Sequence, residues 1–383
     1  MDLRPHFPAL AEGLAHFDGP GGTQVPSAVA DAVAASYRSA VSNRHGGFAS
    51  SDRADTIVDA ARRAAADLLG ADPRGVFFGQ SMTANTYVLA TALAKTWEPG
   101  DDIVLSRLDH DANVRPWVQA ATSAGASVRW AEVDADTNLP TEQYGELVGP
   151  RTRLVAVTAA SNATGSRPDV PAIVEIAHAA GALVHVDGVH ATPHGPVEMP
   201  GDFWACSAYK WYGPHLGVTA ADPALLEMLH PDKLLASTEE VPDRFELGTP
   251  AFAQLVALTA AVDWLASLGS GVDRPTRLRD ALGKIEAHEA AVFAVLLAGL
   301  RDRPHIKVVG EPTRRTPTVA FLVEGETPQR TAERLADKGI AVWAGHYYAI
   351  ELMAALGLPD GAVRAGVVGY TSLEDVDRLL EAL

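Results

Sequence analysis

Residues 182–217 read ALVHVDGVHATPHGPVEMPGDFWACSAYKWYGPHLG, and two short apolar runs within that stretch decide the fold. LVHVD within ALVHVDG (182–188) and the region of FWACSAY (203–209) are β-branched or aromatic and bounded by Gly, Asp or Ser, the pattern of buried strands. Asp187 ends the first, and Lys210 follows just past the second. Working outward, VFFG (76–79), DIVLS (102–106), SVRWAEV (127–133) and RLVAVTA (153–159) repeat the strand pattern. Segments 83–96, 113–124 and 170–180 between them carry helical patterns. Strand and helix in alternation predict an α/β protein with a mainly parallel sheet and helices on both faces.

A long, nearly uncharged helical stretch follows at 251–268, then a helix at 277–300 and strands near 306–310, 318–323, 340–344 and 363–369, with helices near 328–338 and 373–383. This reads as a second, smaller α/β domain. The expected division is an N-terminal arm, 1–20, packed with the small domain, a large domain, 21–250, and a small C-terminal domain, 251–383. At ~150 residues per domain the length suits two.

Composition excludes several classes. With 47% hydrophobic and 21% charged residues the chain is neither disordered nor fibrous. Its net charge of −17 argues against a nucleic-acid partner. One cysteine, Cys206, leaves no internal disulfide and no multi-cysteine metal or iron–sulfur site. The N-terminus lacks a basic start and an apolar core, and the apolar stretch 290–300 is shorter than the ~20 residues of a membrane span. The expectation is a soluble, cytoplasmic protein with no membrane partner.

Ligands of open parallel sheets bind beyond the carboxyl ends of the strands. There are six lysines, and Lys210 alone sits past a strand among Tyr209, Trp211 and Tyr212. Partial desolvation would lower its pKa and suit it to Schiff-base chemistry; alternatively its stem packs on the rings while the amine reaches water. Asp187 is a partner for a protonated pyridine nitrogen or a turn residue before Gly188. Ser81, Met82 and Thr83 open a helix after VFFG and form either an anion site or a simple cap. His110 could stack on a flat ring or cap the next helix, and Asn162 could bond a ring oxygen or serve a turn. Taken together these strand ends make a full set for pyridoxal phosphate. GPGG at 19–22 is not a dinucleotide motif, and no GxxxxGK[ST] occurs.

FDGPGGTQVP, SNRHGG, DHDANVRPW, SNATG, HVDGVHATPHGP, DFWACSAYKWYGPHLG, RFELGTP, AVWAGHYYAIELM and VRAGVVGYTSLEDVDRLLEAL together resemble the class V aminotransferase/cysteine desulfurase family of fold-type I pyridoxal-phosphate enzymes, and its cysteine desulfurase-like branch most. The resemblance implies a seven-stranded large-domain sheet and a homodimer with active sites at the interface. It implies that Lys210 carries the cofactor, Asp187 pairs with the ring nitrogen and His110 stacks on the ring. Asn162 and His190 would lie near the ring hydroxyl, and Met82, Thr83 and Ser207 would hold the phosphate, with Ser81 in the same turn. Gly248 and Thr249 would reach the partner subunit's phosphate. Arg364 would bind the substrate α-carboxylate as a two-pronged fork. Asn43 and His45 would belong to a loop that closes on substrate. The chain departs from the pattern in four places. Tyr348 stands where desulfurases carry the loop cysteine after a Gly-His pair, Tyr209 replaces the His before the lysine, His190 replaces a Gln, and Met82-Thr83 replaces a threonine pair.

The expected activity is lyase-type or carbon-bond chemistry at Cα or Cβ of a small amino acid, without a persulfide-forming cysteine; transamination and racemisation are alternatives on the same scaffold. A metal hydrolase built on His185, Asp187 and His190 and a noncatalytic binding protein are the rival readings.

Overall fold

The computed structural model describes residues 2–383. Thirteen strands and twelve α-helices follow one another along these residues. The strands of the large sheet are β2 (Val76–Gly79), β3 (Asp102–Ser106), β4 (Ser127–Ala131), β5 (Thr152–Thr158), β6 (Leu183–Asp187), β7 (Phe203–Ser207) and β8 (Gly217–Ala221), after the short β1 (Ala15–His16). Their order is β2-β8-β7-β6-β5-β3-β4; only β8 runs antiparallel to its neighbours. The ends of β2, β3, β5, β6 and β7 therefore share one edge, where β8 begins.

The alternation of side chains along a strand explains the layers. Val104, Val155, Val157, Val184, Val186 and Cys206 bury into one core with helices α2 (Ala49–Leu69), α6 (Val170–Ala179) and α8 (Phe252–Ser267). Ile103, Leu105, Leu154, Ala156 and Phe203 point the other way, onto α3 (Met82–Ala94) and α4 (Arg115–Ala124). With both faces covered, the strands read as continuous apolar runs. The expected strands and helices lie within a few residues of these bounds. The reading from sequence passed over α1 (Ser27–Arg38) and α2, whose alanine-rich stripe at 54, 58, 61, 65 and 68 was the available signal.

The second sheet has the order β12-β13-β10-β9 and is antiparallel throughout, from β9 (Ile306–Val309), β10 (Thr318–Val323), β12 (Trp343–Gly345) and β13 (Ala362–Gly366). Its core lies under α9 (Arg274–Arg301), α10 (Pro328–Ala336) and α12 (Leu373–Ala382), which starts with a capping box from Ser372 and Asp375. The run 340–344, read as one strand, is two. β11 (Ile340–Ala341) pairs in parallel with β1, and Trp343 turns into the small sheet opposite Arg364. The arm reaches both cores: Phe17 is buried with the small sheet, while Leu3, Phe7 and Leu10 join Tyr212, Trp264 and Tyr370. Helix α8, read as the start of the second domain, packs on α1 and α2 in the large core, because a helix whose single charge, Asp263, faces outward to Arg274 can bury most of its circumference. No described helix is long and apolar enough to cross a membrane.

Candidate active site

Five strand ends converge on an inner cavity of about 70 Å³, lined by Ser81, Met82, Thr83, His110, Asn162, Asp187, His190, Ser207 and Lys210 among others. It adjoins a vestibule of about 700 Å³ that shares Thr83, His110, Asn162 and Lys210 and adds Tyr347, Tyr348 and Arg364.

Lys210 ends a short turn (Ala208–Lys210) after β7. Trp211 and Tyr212 anchor that turn in the core, with Tyr212 in the left-handed region at φ +67°. Lys210 Nζ donates to the carbonyl of Pro20, part of the N-terminal turn across the mouth, and lies 5.4 Å from the Tyr209 ring centre. Enclosure and the nearby Arg364 charge lower the amine to about 7, against the opposing pull of Asp187. Asp187 accepts a bond from the Val189 amide at 2.9 Å, and burial raises its carboxyl to about 6, with that bond and Lys210 pulling it back.

Ser81 is the N-cap of α3 and accepts from the Ala84 amide at 3.1 Å. The first-turn amides beyond it have no intrahelical acceptor. A Cβ on Gly217 would collide with the backbone of Ser81 and Met82, so β8 lies tightly under this turn. His110 Nδ1 accepts from the Ala112 amide at 3.0 Å. Burial, then the Lys210 and Arg364 charges, lower His110 to about 4, so the ring is neutral. Tyr348 covers its outer side with ring centres 5.4 Å apart.

Asn162 donates through Nδ2 to the Tyr347 carbonyl at 2.8 Å, leaving Oδ1 buried and unpartnered. Arg364 on β13 is buried, donates to the Asn162 carbonyl at 2.7 Å and lies 4.4 Å from the Tyr347 ring centre. Tyr347 and Tyr348 both adopt positive φ, at +51° and +59°. Tyr348 is 63% exposed, and its carbonyl accepts from the Asp111 amide at 2.7 Å.

The remaining expected residues lie elsewhere in the chain. Gly248 and Thr249 line a different cavity, with Phe78, Gly79, Gln80 and His215. Asn43 and His45 line neither the inner cavity nor the vestibule. The His45 amide donates to Asp55 at 3.2 Å, and its side chain is exposed.

Reasoning from sequence missed Pro20 and Gly21 at the mouth, although DGPGGT was in view, and missed a buried network below the site. Asp109 accepts from the Ser106 hydroxyl and from Asn113 Nδ2 at 2.7 Å. Asn113 Oδ1 accepts from Trp117 Nε1 at 3.0 Å and lies 2.8 Å from His185 Nδ1. Burial raises Asp109 to about 8, with the Asp187 charge adding to the rise. This geometry corrects the metal-hydrolase rival. His185 is engaged by Asn113 and His190 by Thr318, and among the described residues no three His, Cys, Asp or Glu side chains are placed to hold a metal ion.

The aminotransferase class-V family profile matches residues 15–379. The chain belongs to the class V aminotransferase family. It is 35% identical over 393 residues to an uncharacterised protein of Mycobacterium tuberculosis, covering 100% of this chain and 97% of that one. It is 32% identical over 410 residues to a cysteine desulfurase of Klebsiella pneumoniae, covering 100% and 96%. A crystal structure of a cysteine desulfurase from Escherichia coli superposes with a TM-score of 0.87 at 30% identity, covering 99% of this chain and 96% of that one. This class V family member is thus a fold-type I, cysteine desulfurase-like enzyme whose cofactor is pyridoxal phosphate. The residues present fit that group. An amine lowered to about 7, the first turn of α3 and a buried carboxyl line one cavity, and Asn162 Oδ1 and His190 Nδ1 are buried polar atoms without partners.

Proposed function

We propose that this enzyme acts on a small amino acid by lyase-type or carbon-bond chemistry at Cα or Cβ, without forming a persulfide on the protein. The single observation that carries the reading is the state of Cys206. It is the chain's one cysteine, it is fully buried in β7, and burial pushes its thiol up to about 12. A buried, protonated thiol is a poor nucleophile. The loop after Gly345 and His346 presents Tyr348 to the vestibule instead.

In this reading Lys210 would hold pyridoxal phosphate covalently, Asp187 would pair with its ring nitrogen, and His110 would cover its face. Asn162 and His190 would lie near its ring oxygen, the donated bond coming from His190. Ser81, Met82, Thr83 and Ser207 would bind the phosphate, joined by Gly248 and Thr249 of a second copy in a homodimer. Bound there, the cofactor supplies an electron sink for charge developing at the substrate's Cα. Arg364 orients the substrate by its α-carboxylate, and the Lys210 amine takes or returns the proton at Cα. Tyr347, Tyr348 and His346 exclude water over the substrate side chain. Asn43 and His45 would border the site from a loop that closes on substrate.

The test is incubation of the pyridoxal-phosphate-loaded enzyme with a panel of amino acids, including cysteine and aspartate, followed by mass spectrometry of products and protein. Pyruvate or another product of Cα or Cβ bond cleavage, with unmodified protein, is expected. Alanine formed from cysteine with sulfane sulfur on the chain would overturn the reading.

A further inference from the structure

His190, on the turn after β6, has one ring nitrogen engaged and one free. Nε2 lies 3.0 Å from Oγ1 of Thr318, at the start of β10, while Nδ1 is buried without a partner. Thr318 is fully buried, and among the described residues its hydroxyl has no other hydrogen-bond partner. If Nε2–H donated to Oγ1, the buried hydroxyl proton would be left without an acceptor among the described residues. Donation from Thr318 O–H to Nε2 pairs both groups and leaves the imidazole proton on Nδ1.

The surroundings hold the ring neutral. Burial comes first, and His194, Lys210 and Arg364 add cationic repulsion. His194 packs edge-on at 5.2 Å between ring centres and is itself paired with Glu289 of α9 at 2.8 Å. Asp187, three residues earlier, accepts from the Val189 amide. Asn162 faces this region only with the acceptor Oδ1, its amide nitrogen being committed to the Tyr347 carbonyl.

We propose that Thr318 is a positioning residue: its hydroxyl holds His190 in the Nδ1–H tautomer and so makes His190 the neutral donor to the ring oxygen of bound pyridoxal phosphate. The inference rests on the cofactor site described above. It also links the two sheets, because β10 pairs with β13, Thr318 lying opposite Gly366 and Ala320 opposite Arg364.

The test is a pH titration of the absorption spectrum of the full chain loaded with pyridoxal phosphate. It compares wild type, Thr318→Val, Thr318→Ser, His190→Gln and the Thr318→Val/His190→Gln double variant. A ring oxygen without its donor carries more charge and holds the neighbouring proton more tightly. Thr318→Val should therefore raise the spectral midpoint by at least about 0.5 pH unit. Thr318→Ser should restore it. In the His190→Gln background, where an amide donates without a tautomer, Thr318→Val should add nothing. An unmoved midpoint in a cofactor-loaded Thr318→Val chain, or a shift that persists in the His190→Gln background, overturns the proposal. Nitrogen NMR of His190 in the loaded wild type tests it without any variant: a proton on Nδ1 supports it, and a proton on Nε2 refutes it. A wild type that takes up no pyridoxal phosphate refutes the cofactor site itself and the inference with it.

Discussion

Arg364 Nη1 donates to the backbone carbonyl of Asn162 at 2.7 Å, which ties β13 of the small sheet to the loop after β5 of the large one. Tyr347 closes the triangle, its ring under the guanidinium and its carbonyl accepting from Asn162 Nδ2. Burial lowers the Arg364 guanidinium to about 10, with Tyr347 and the Asp18 charge pulling the other way, and its Nε is buried without a partner. The site thus holds a buried cation that an incoming carboxylate would satisfy.

Arg364→Ala should weaken amino-acid binding about 10- to 150-fold, from loss of a charge-assisted pair of ~1.5–3 kcal/mol. Arg364→Lys should recover part of this, since a point charge lacks the planar fork. Spectral titration of the loaded enzyme with amino acids measures both; equal affinity in all three chains would place the carboxylate elsewhere.

The amine of Lys210 is nucleophilic only when neutral. With its pKa lowered to about 7, covalent attachment of added pyridoxal phosphate to the cofactor-free chain should speed up as pH rises through about 7 and level off above it. Lys210→Ala should leave no borohydride-fixable cofactor at any pH. A rate that climbs only toward pH 10 would show an unperturbed lysine.

Gly217 binds no ligand in this scheme, yet Gly217→Ala should loosen the cofactor. The added Cβ meets backbone atoms of Ser81 and Met82, which cannot swing aside as a side chain could. Overpacking of this kind costs ~1–3 kcal/mol. Equilibrium dialysis of pyridoxal phosphate should show weaker binding than wild type, and unchanged affinity would mean the turn relaxes freely.

Asp109 has a folded-state pKa raised to about 8 from an ordinary 3.8. The stability that follows from its protonation is full below about pH 4 and is lost as pH rises through about 8. Asp109→Asn cannot ionise and keeps an acceptor for Asn113. In the cofactor-free chain its Tm relative to wild type should therefore climb between pH 5 and 9. A difference that stays flat across that range would show that Asp109 is already ionised at low pH.

The strand ends were legible one by one. β-branched runs closed by Gly, Ser or Asp placed Asp187 and the Ser81–Thr83 turn at strand ends, because burial on both faces of a parallel sheet leaves its mark in local composition, whereas Ser207 came only from the family resemblance. His110 and Asn162 were legible for the same reason, each lying just past such a run. Tyr348 was placed only by the family resemblance, and its packing over His110 was not foreseen.

Read alone, the chain's order of residues determined the alternating architecture and the chemical types at each strand end, since both depend on short-range patterns of polarity and backbone preference. Only the tertiary structure decided which groups share a cavity, which nitrogen of His190 is left free, and that Pro20, Thr318 and Arg364 close over residues far from them in sequence. The reason is physical: desolvation, hydrogen-bond pairing and pKa shifts are set by neighbours in space, and no local pattern records who those neighbours are.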